Sequence, residues 1–264
     1  MEFQVKHKTS KLRQSGFTLV ELSIVLLIMG LILAGLAMPL ATHRENARLK
    51  ESLDQLASVE AAINGYVLVN GALPCPATPA SAGSASAGVG SCNRQHGFVP
   101  ATTLDIGGAR NADNLLLDPW GSPLRYSVTD SDADGDGQWD FTTPGELKDV
   151  TLPVLAPDLA VCSSSSGATA TACGSAATTL SSAAPAIVYS LGHDWSAFSS
   201  PDQLENTGTS LGGGPSGTSY PIAANTVFVT RGKSNRPGAE FDDVVTWISP
   251  NALYHGLVTA GHLP

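Results

Sequence analysis

Positive charge is scarce in this chain: 14 Lys and Arg stand against 23 Asp and Glu, for a net −9 at neutral pH. Nothing in the sequence resembles the basic patch that nucleic-acid binding needs, and so acidic a chain does not suit broad adhesion to anionic lipid. Charge of either sign is thin, at 14% of residues, and from Leu22 to Thr42 there is none. No Cys-x-x-Cys pair occurs, so spacing excludes zinc ribbons and thioredoxin-type redox centres. No helical crossover patterns separate the candidate strands, which argues for antiparallel pairing. What is abundant is Gly, Ser, Ala, Thr and Pro, the mixture of a loop-rich, extracellular-type domain. The 264 residues suit one or two domains.

The organising stretch lies near the N-terminus. Lys6, Lys8, Lys11 and Arg13 precede Gly16-Phe17-Thr18-Leu19-Val20-Glu21, and an apolar run continues to Leu40. A helix over this run would be about 36 Å long, enough to cross a hydrocarbon core of about 30 Å with some tilt. It is too long for a secretory signal core, and it carries a carboxylate. An acid at the bilayer centre costs about 2.5–3.5 kcal/mol, so an intramembrane acid is a functional candidate. Glu21 sits near the start of the run, where the cost is lower and the helix dipole favours an anion.

This Gly-Phe-Thr-Leu-Val-Glu pattern resembles the processing site of type IV pilins and type II secretion pseudopilins. The resemblance implies that prepilin peptidase cuts after Gly16 and that Phe17, the new N-terminus, is methylated. It also implies that Glu21 serves assembly. A cationic amine at Phe17 and an anion at Glu21 attract strongly in a low-dielectric setting, so one subunit can set the axial register of the next. Loss of the +3 leader would take the net charge from −9 to −12. In filaments of this family helix is lost between a Gly and a Pro spaced as Gly30 and Pro39 are here. Two weaker resemblances to the same family lie in Asp118-Pro119-Trp120-Gly121-Ser122-Pro123 with Tyr126, and in Phe241 to Pro250.

Four cysteines, Cys75, Cys92, Cys162 and Cys173, fit disulfides in an oxidising compartment. Three connectivities are open. Local pairing is expected, because it closes two Ser/Ala/Gly-rich loops that could hardly hold shape by packing, at about 3 kcal/mol each. The oxidising requirement also places the C-terminal part outside the cytoplasm, more firmly than the slight asymmetry of Lys and Arg across the apolar run.

The expected organisation is a leader (1–16), a transmembrane and assembly helix (17–41), its amphipathic continuation (42–70) and a periplasmic head (71–264). Leu49, Leu53, Leu56, Ile63 and Val67 recur at helical spacing and should pack on the head. Asn70-Gly71, followed by Pro74, marks the stop. Candidate strands are Leu124–Thr129, Ala186–Leu191, Thr226–Arg231 and Asp243–Ile248. Residues 144–185 and 199–221 read as irregular, and Asn251–Ala260 as a short helix or tail. The fold class is therefore α+β: a long N-terminal helix, half transmembrane, on a small antiparallel sheet with long disulfide-closed loops.

Outside the N-terminus, the strongest candidate chemistry is Asp132-Ala133-Asp134-Gly135-Asp136-Gly137-Gln138-Trp139-Asp140. Asp132, Asp134 and Asp136 fall at positions 1, 3 and 5 of a calcium loop, and Gly137 falls at the sharp-turn position 6. Gln138 offers a carbonyl and Asp140 sits at position 9. Thr143 stands where a bidentate Glu belongs, and Glu146 is three residues too late. The reading is a weak calcium site, at about 10⁻⁴–10⁻³ M, against a plain acidic turn.

No enzyme is indicated. Gly208-Thr209-Ser210-Leu211-Gly212 fits a nucleophile-elbow pattern but lies in a Gly-rich loop rather than between strand and helix. His193 and Asp194 are adjacent and would point apart in extended chain. His96, His193 and His255 have no metal-ligand spacing, and Trp120, Trp139, Trp195 and Trp247 read as anchors. The expected function is a structural subunit, and the resemblance implies as partners prepilin peptidase, other pilin or pseudopilin subunits, an inner-membrane assembly platform and membrane lipid. The head's size and its two disulfide loops favour a minor subunit. Two alternatives are a filament-tip adhesin, with 76–91 and 199–221 as contact surface, and a membrane-anchored periplasmic protein that never assembles.

Overall fold

The computed structural model describes residues 16–86, 92–150, 154–196, 198, 200–207 and 225–263, without the side chains of 33–41. The rest of the leader, the Gly208–Gly212 pattern and most of 199–221 lie outside the described residues. The elements in chain order begin with helix α1 (Leu19–Asn70), a 3-10 turn (Pro79–Ser81), β1 (His96–Phe98) and β2 (Arg125–Val128). Next come α2 (Glu146–Asp149), β3 (Leu159–Cys162), β4 (Thr179–Ala184), β5 (Ala186–Ser190) and α3 (Pro201–Asn206). The chain ends through β6 (Val227–Val229), β7 (Ser234–Arg236), β8 (Ala239–Phe241), β9 (Val244–Trp247) and α4 (Pro250–Thr259).

Two units divide at Ala47. The first holds the N-terminal part of α1, whose apolar side chains from Leu19 to Ile32 are exposed, Leu19 at 86%. Helix assignment continues through Pro39. Among the described residues no helix is long and apolar enough to cross a membrane. The side chains of 33–41, the second half of the apolar run, lie outside that description.

The second unit is built on a four-stranded antiparallel sheet in the order β1-β2-β5-β9. Strand alternation sends successive side chains to opposite faces. Tyr126 and Val128 of β2 and Ala186 and Val188 of β5 meet Leu56, Val59, Ile63 and Val67 of α1, with Leu253 and Leu257 of α4 closing the same core. The sequence-predicted helical face is shifted by this packing. Val59 is fully buried and joins it, whereas Leu53 is 52% exposed. Gly71 ends α1 with φ +71°, and its N–H donates to Val67 O at 2.8 Å. This left-handed cap is the geometry that glycine allows without strain.

The opposite face of the sheet is where the sequence reading needs correction. Ile187 and Tyr189 of β5 pack on Leu159, Val161 and Phe228 of a second sheet, ordered β4-β3-β6. Every residue of β5 is buried because both its faces are covered. Among the described residues the small antiparallel sheet that was expected is therefore one of three, and β6, predicted from Thr226–Arg231, belongs to the second. It pairs parallel with β3, Val161 opposite Phe228. Residues 144–185 are not irregular: they contain α2, β3 and β4. The Ser/Ala-rich β4 has little strand propensity of its own and is held by its antiparallel pairing to β3. In 199–221, α3 forms because Ser200 Oγ accepts the Gln203 N–H at 3.3 Å and Pro201 occupies the first turn. The other three predicted strands and the C-terminal helix form close to their expected limits.

The disulfides are local, as expected. Cys75 pairs with Cys92 and Cys162 with Cys173, at Cα separations of 5.4 and 5.7 Å.

Candidate functional site

At the N-terminus, Glu21 does more than carry charge. Thr18 and Glu21 form a reciprocal pair at the start of α1. The Glu21 N–H donates to Thr18 Oγ1 at 3.2 Å, and the Thr18 N–H reaches Glu21 Oε2 at 3.5 Å. This is a capping box, which satisfies two donors that a helix start leaves orphaned. Sequence reasoning passed over Thr18, although Thr-x-x-Glu before an apolar run is the legible signal. Gly16 and Phe17 lie just before the helix and are exposed, Phe17 at 79%.

The Asp-Pro-Trp-Gly turn is organised by Asp118. Its Oδ1 accepts the N–H groups of Trp120 (3.0 Å) and Ser122 (2.8 Å), and its Oδ2 accepts Ser190 Oγ of β5 (2.5 Å). Burial raises the Asp118 pKa while these donors oppose the rise. The role is structural: it fastens the turn that leads into β2 to the centre of the sheet.

Two carboxylate clusters could hold a cation. In the first, Asp132, Asp134 and Asp136 each offer an oxygen, and the three lie within 4.8 Å of one another. Gly135 (φ +77°) and Gly137 (φ +89°) bend the loop, and both donate their N–H groups to Asp132, at 2.7 and 2.9 Å. Asp140 is fully buried, and its Oδ2 accepts Ala133 N (3.1 Å) and Ser131 Oγ (3.2 Å). Its pKa is raised, first by burial and then, against those donors, by Asp134 and Asp132. The Gln138 side chain donates to Asp136 Oδ2 at 3.0 Å and to Glu146 Oε1 at 3.3 Å.

The second cluster, Asp194, Asp242 and Asp243, was not foreseen as a site, because its members are scattered along the chain. The fold brings the turn after β5 against the β8–β9 junction. Gln203 of α3 donates to Asp194 Oδ1 (2.8 Å) and to Asp242 Oδ1 (3.0 Å), and the His193 N–H donates to Asp242 Oδ2 (2.7 Å). Burial and the Asp194 carboxylate push Asp242 up to about 6. Asp243 is buried and raised well above the ordinary range by desolvation, although Asn206 donates to it at 2.7 Å. His193, through its backbone N–H, and Asp194, through its carboxylate, thus make contacts at a turn.

His96 is buried, with Nδ1 2.9 Å from Ser127 Oγ. The four tryptophans are all half-buried, in keeping with anchoring roles.

The chain thus combines an N-terminal helix of exposed apolar residues, opened by a Thr/Glu box, with a unit in which the later part of α1 packs on a sheet. The prokaryotic N-terminal methylation motif matches residues 11–37. The type II secretion system core protein G of Pseudomonas aeruginosa is 29% identical over 123 residues, covering 43% of this chain and 73% of that protein. No solved structure matches. The N-terminal match and this similarity both point to the pilin and pseudopilin family.

Proposed function

We propose that the chain is a structural subunit of a type IV pilus or a type II secretion pseudopilus. It is cut by prepilin peptidase after Gly16, methylated on Phe17 and assembled through α1. The observation that carries this reading is Glu21 at the first turn of a helix whose next 21 residues hold no charge. A helix that is apolar all round must be buried, in lipid or among its neighbours. The subunit would therefore wait as a single span of the inner membrane, on an assembly platform, with its disulfide-bonded head in the periplasm.

Incorporation exchanges lipid contacts for helix contacts, which are nearly as apolar, so the ion pair sets register. The new amine of an incoming Phe17 meets Glu21 of a subunit already in place. The Thr18 hydroxyl supports this step by holding the first turn of α1 through the Glu21 N–H, leaving the carboxylate one weak contact to exchange. A minor or specialised rank is supported by the head, since less than half of the chain aligns with the core pseudopilin of Pseudomonas aeruginosa.

The test is N-terminal mass analysis of the mature protein, with Glu21→Ala scored for incorporation into fibres. A mature chain beginning at methylated Phe17, and a Glu21→Ala variant that is processed yet absent from fibres, support the proposal. A mature chain that still begins at Met1 ends it.

A further inference from the structure

The second disulfide loop grips more of the head than its composition suggests. Residues 163–172 are Ser, Gly, Ala and Thr, without charge. Such a segment buries little and keeps many conformations unless its ends are tied, and the Cys162–Cys173 bridge ties them. Held so, the loop presents three donors to one carboxylate oxygen. Ser165 N (2.8 Å), Ser165 Oγ (2.7 Å) and Ser164 Oγ (3.4 Å) all meet Asp202 Oδ1. The other oxygen of Asp202 pairs with Arg231 Nε at 2.7 Å. Burial acts to raise the Asp202 pKa, but the Ser165 donors and Arg231 hold it below the ordinary carboxylate value.

Asp202 lies in the first turn of α3, a helix of six residues. A helix that short does not persist alone, so α3 depends on what its side chains hold. Asp202 joins it to the loop. Gln203 and Asn206, both fully buried, join it to two other elements. Gln203 bridges Asp194 and Asp242. Asn206 Oδ1 accepts the Val229 N–H (2.7 Å), and its Nδ2 donates to Val229 O (2.8 Å) and to Asp243 Oδ2 (2.7 Å). The amide thus meets both backbone groups of Val229 in β6, as a neighbouring strand would. Carboxylates gathered within 4.8 Å repel one another, so the donors from α3 work against a standing repulsion.

The bridge, its loop, α3 and the acid turn therefore form one chain of contacts. We propose that Cys162–Cys173 is a redox-sensitive switch: closed, it lets α3 clamp the Asp194–Asp242–Asp243 turn to β6, and reduced, it makes α3 release both. Cys162 is fully buried and Cys173 is partly exposed, so a dithiol reductant attacks the Cys173 sulfur. The first thiolate joins Cys173, and Cys162 leaves and takes a proton. The second thiolate then displaces Cys173, which also ends as a thiol, and the reductant departs as its own disulfide. The Cys75–Cys92 bridge shares no residue with these contacts. The switch stands whether or not the chain assembles into a fibre.

The test is hydrogen–deuterium exchange of the full chain in detergent micelles with EDTA, read on peptides by mass spectrometry. The bridge is opened with dithiothreitol or by combining Cys162→Ser with Cys173→Ser. The amides of Gln203 to Thr207 and of Val227 to Val229 should then exchange at least about tenfold faster, while Arg125 to Val128 keep their rates. Asp202→Ala with the bridge intact should give the same acceleration, and opening the bridge in that variant should add little, since both act through one contact. Should the bridge-free chain unfold throughout, as Arg125 to Val128 would show, the oxidised Asp202→Ala chain still decides. Faster exchange confined to residues 163–172, or parental exchange at Val229 in Asp202→Ala, overturns the proposal.

Discussion

The carboxyl groups of Asp130 and Asp158 meet at the end of β2, both held by one side chain. Gln95 Nε2 donates to Asp130 Oδ1 at 3.3 Å and to Asp158 Oδ2 at 2.9 Å. Thr129 Oγ1 donates to the other oxygen of Asp158 at 2.5 Å. The contact ties the first sheet to the segment entering β3. Burial and the neighbouring carboxylate push Asp130 up to about 6, as they do Asp242 beside Asp194.

This pair makes stability depend on pH in a defined direction. Between the ordinary Asp value and about 6 the folded state binds more protons than the unfolded one, so stability falls as pH rises through that window. Thermal unfolding in EDTA should give a higher Tm at pH 5 than at pH 7.5. Each site should contribute about 1 kcal/mol after solvent screening. Asp130→Asn should remove part of the slope, and a Tm that rises steadily from pH 5 to 7.5 contradicts it.

The two helix positions that sequence reading treated alike should separate sharply. Ile63 is fully buried against the sheet, and Ile63→Ala should cost about 2–5 kcal/mol in urea unfolding. Leu53 is 52% exposed, and Leu53→Ala should fall within about 0.5 kcal/mol of wild type. Equal losses would mean that the helical face is placed wrongly.

Each disulfide closes a short loop, 17 residues for Cys75–Cys92 and 11 for Cys162–Cys173. Replacing either pair by Ser should lower stability by about 3 kcal/mol in the chain-entropy model. The losses should add, because the bridges share no residues. Denaturant titration of the single and double pair variants measures both.

Glu21 and the head should behave independently. Glu21→Ala should leave the unfolding of the head unchanged, since Glu21 lies in the N-terminal unit and bonds to Thr18 there. A large fall in head stability would assign Glu21 a folding role in place of an assembly role.

Much of this protein was legible because its signals are local. The methylation motif, the apolar run, the Asn-Gly stop, the short cystine loops and the strand at Val244–Trp247 each depend on neighbours in sequence. The Thr18–Glu21 box was equally local. What could not be read was anything decided by distant partners. Nothing in Leu159–Cys162 or Thr179–Ala184 announces a second sheet, because those strands owe their form to β6 and to the buried face of β5.

The sequence by itself determined where the N-terminal helix begins, which residues bear its charge, and that the cysteines could close their own loops, since these follow from order and spacing. Tertiary structure alone decided that Val59 rather than Leu53 faces the sheet. It alone gathered Asp194, Asp242 and Asp243, and it returned Glu146 to the acidic loop. The physical reason is that burial and charge act through space, and a chain that folds back on itself sets those distances only when its sheets have paired.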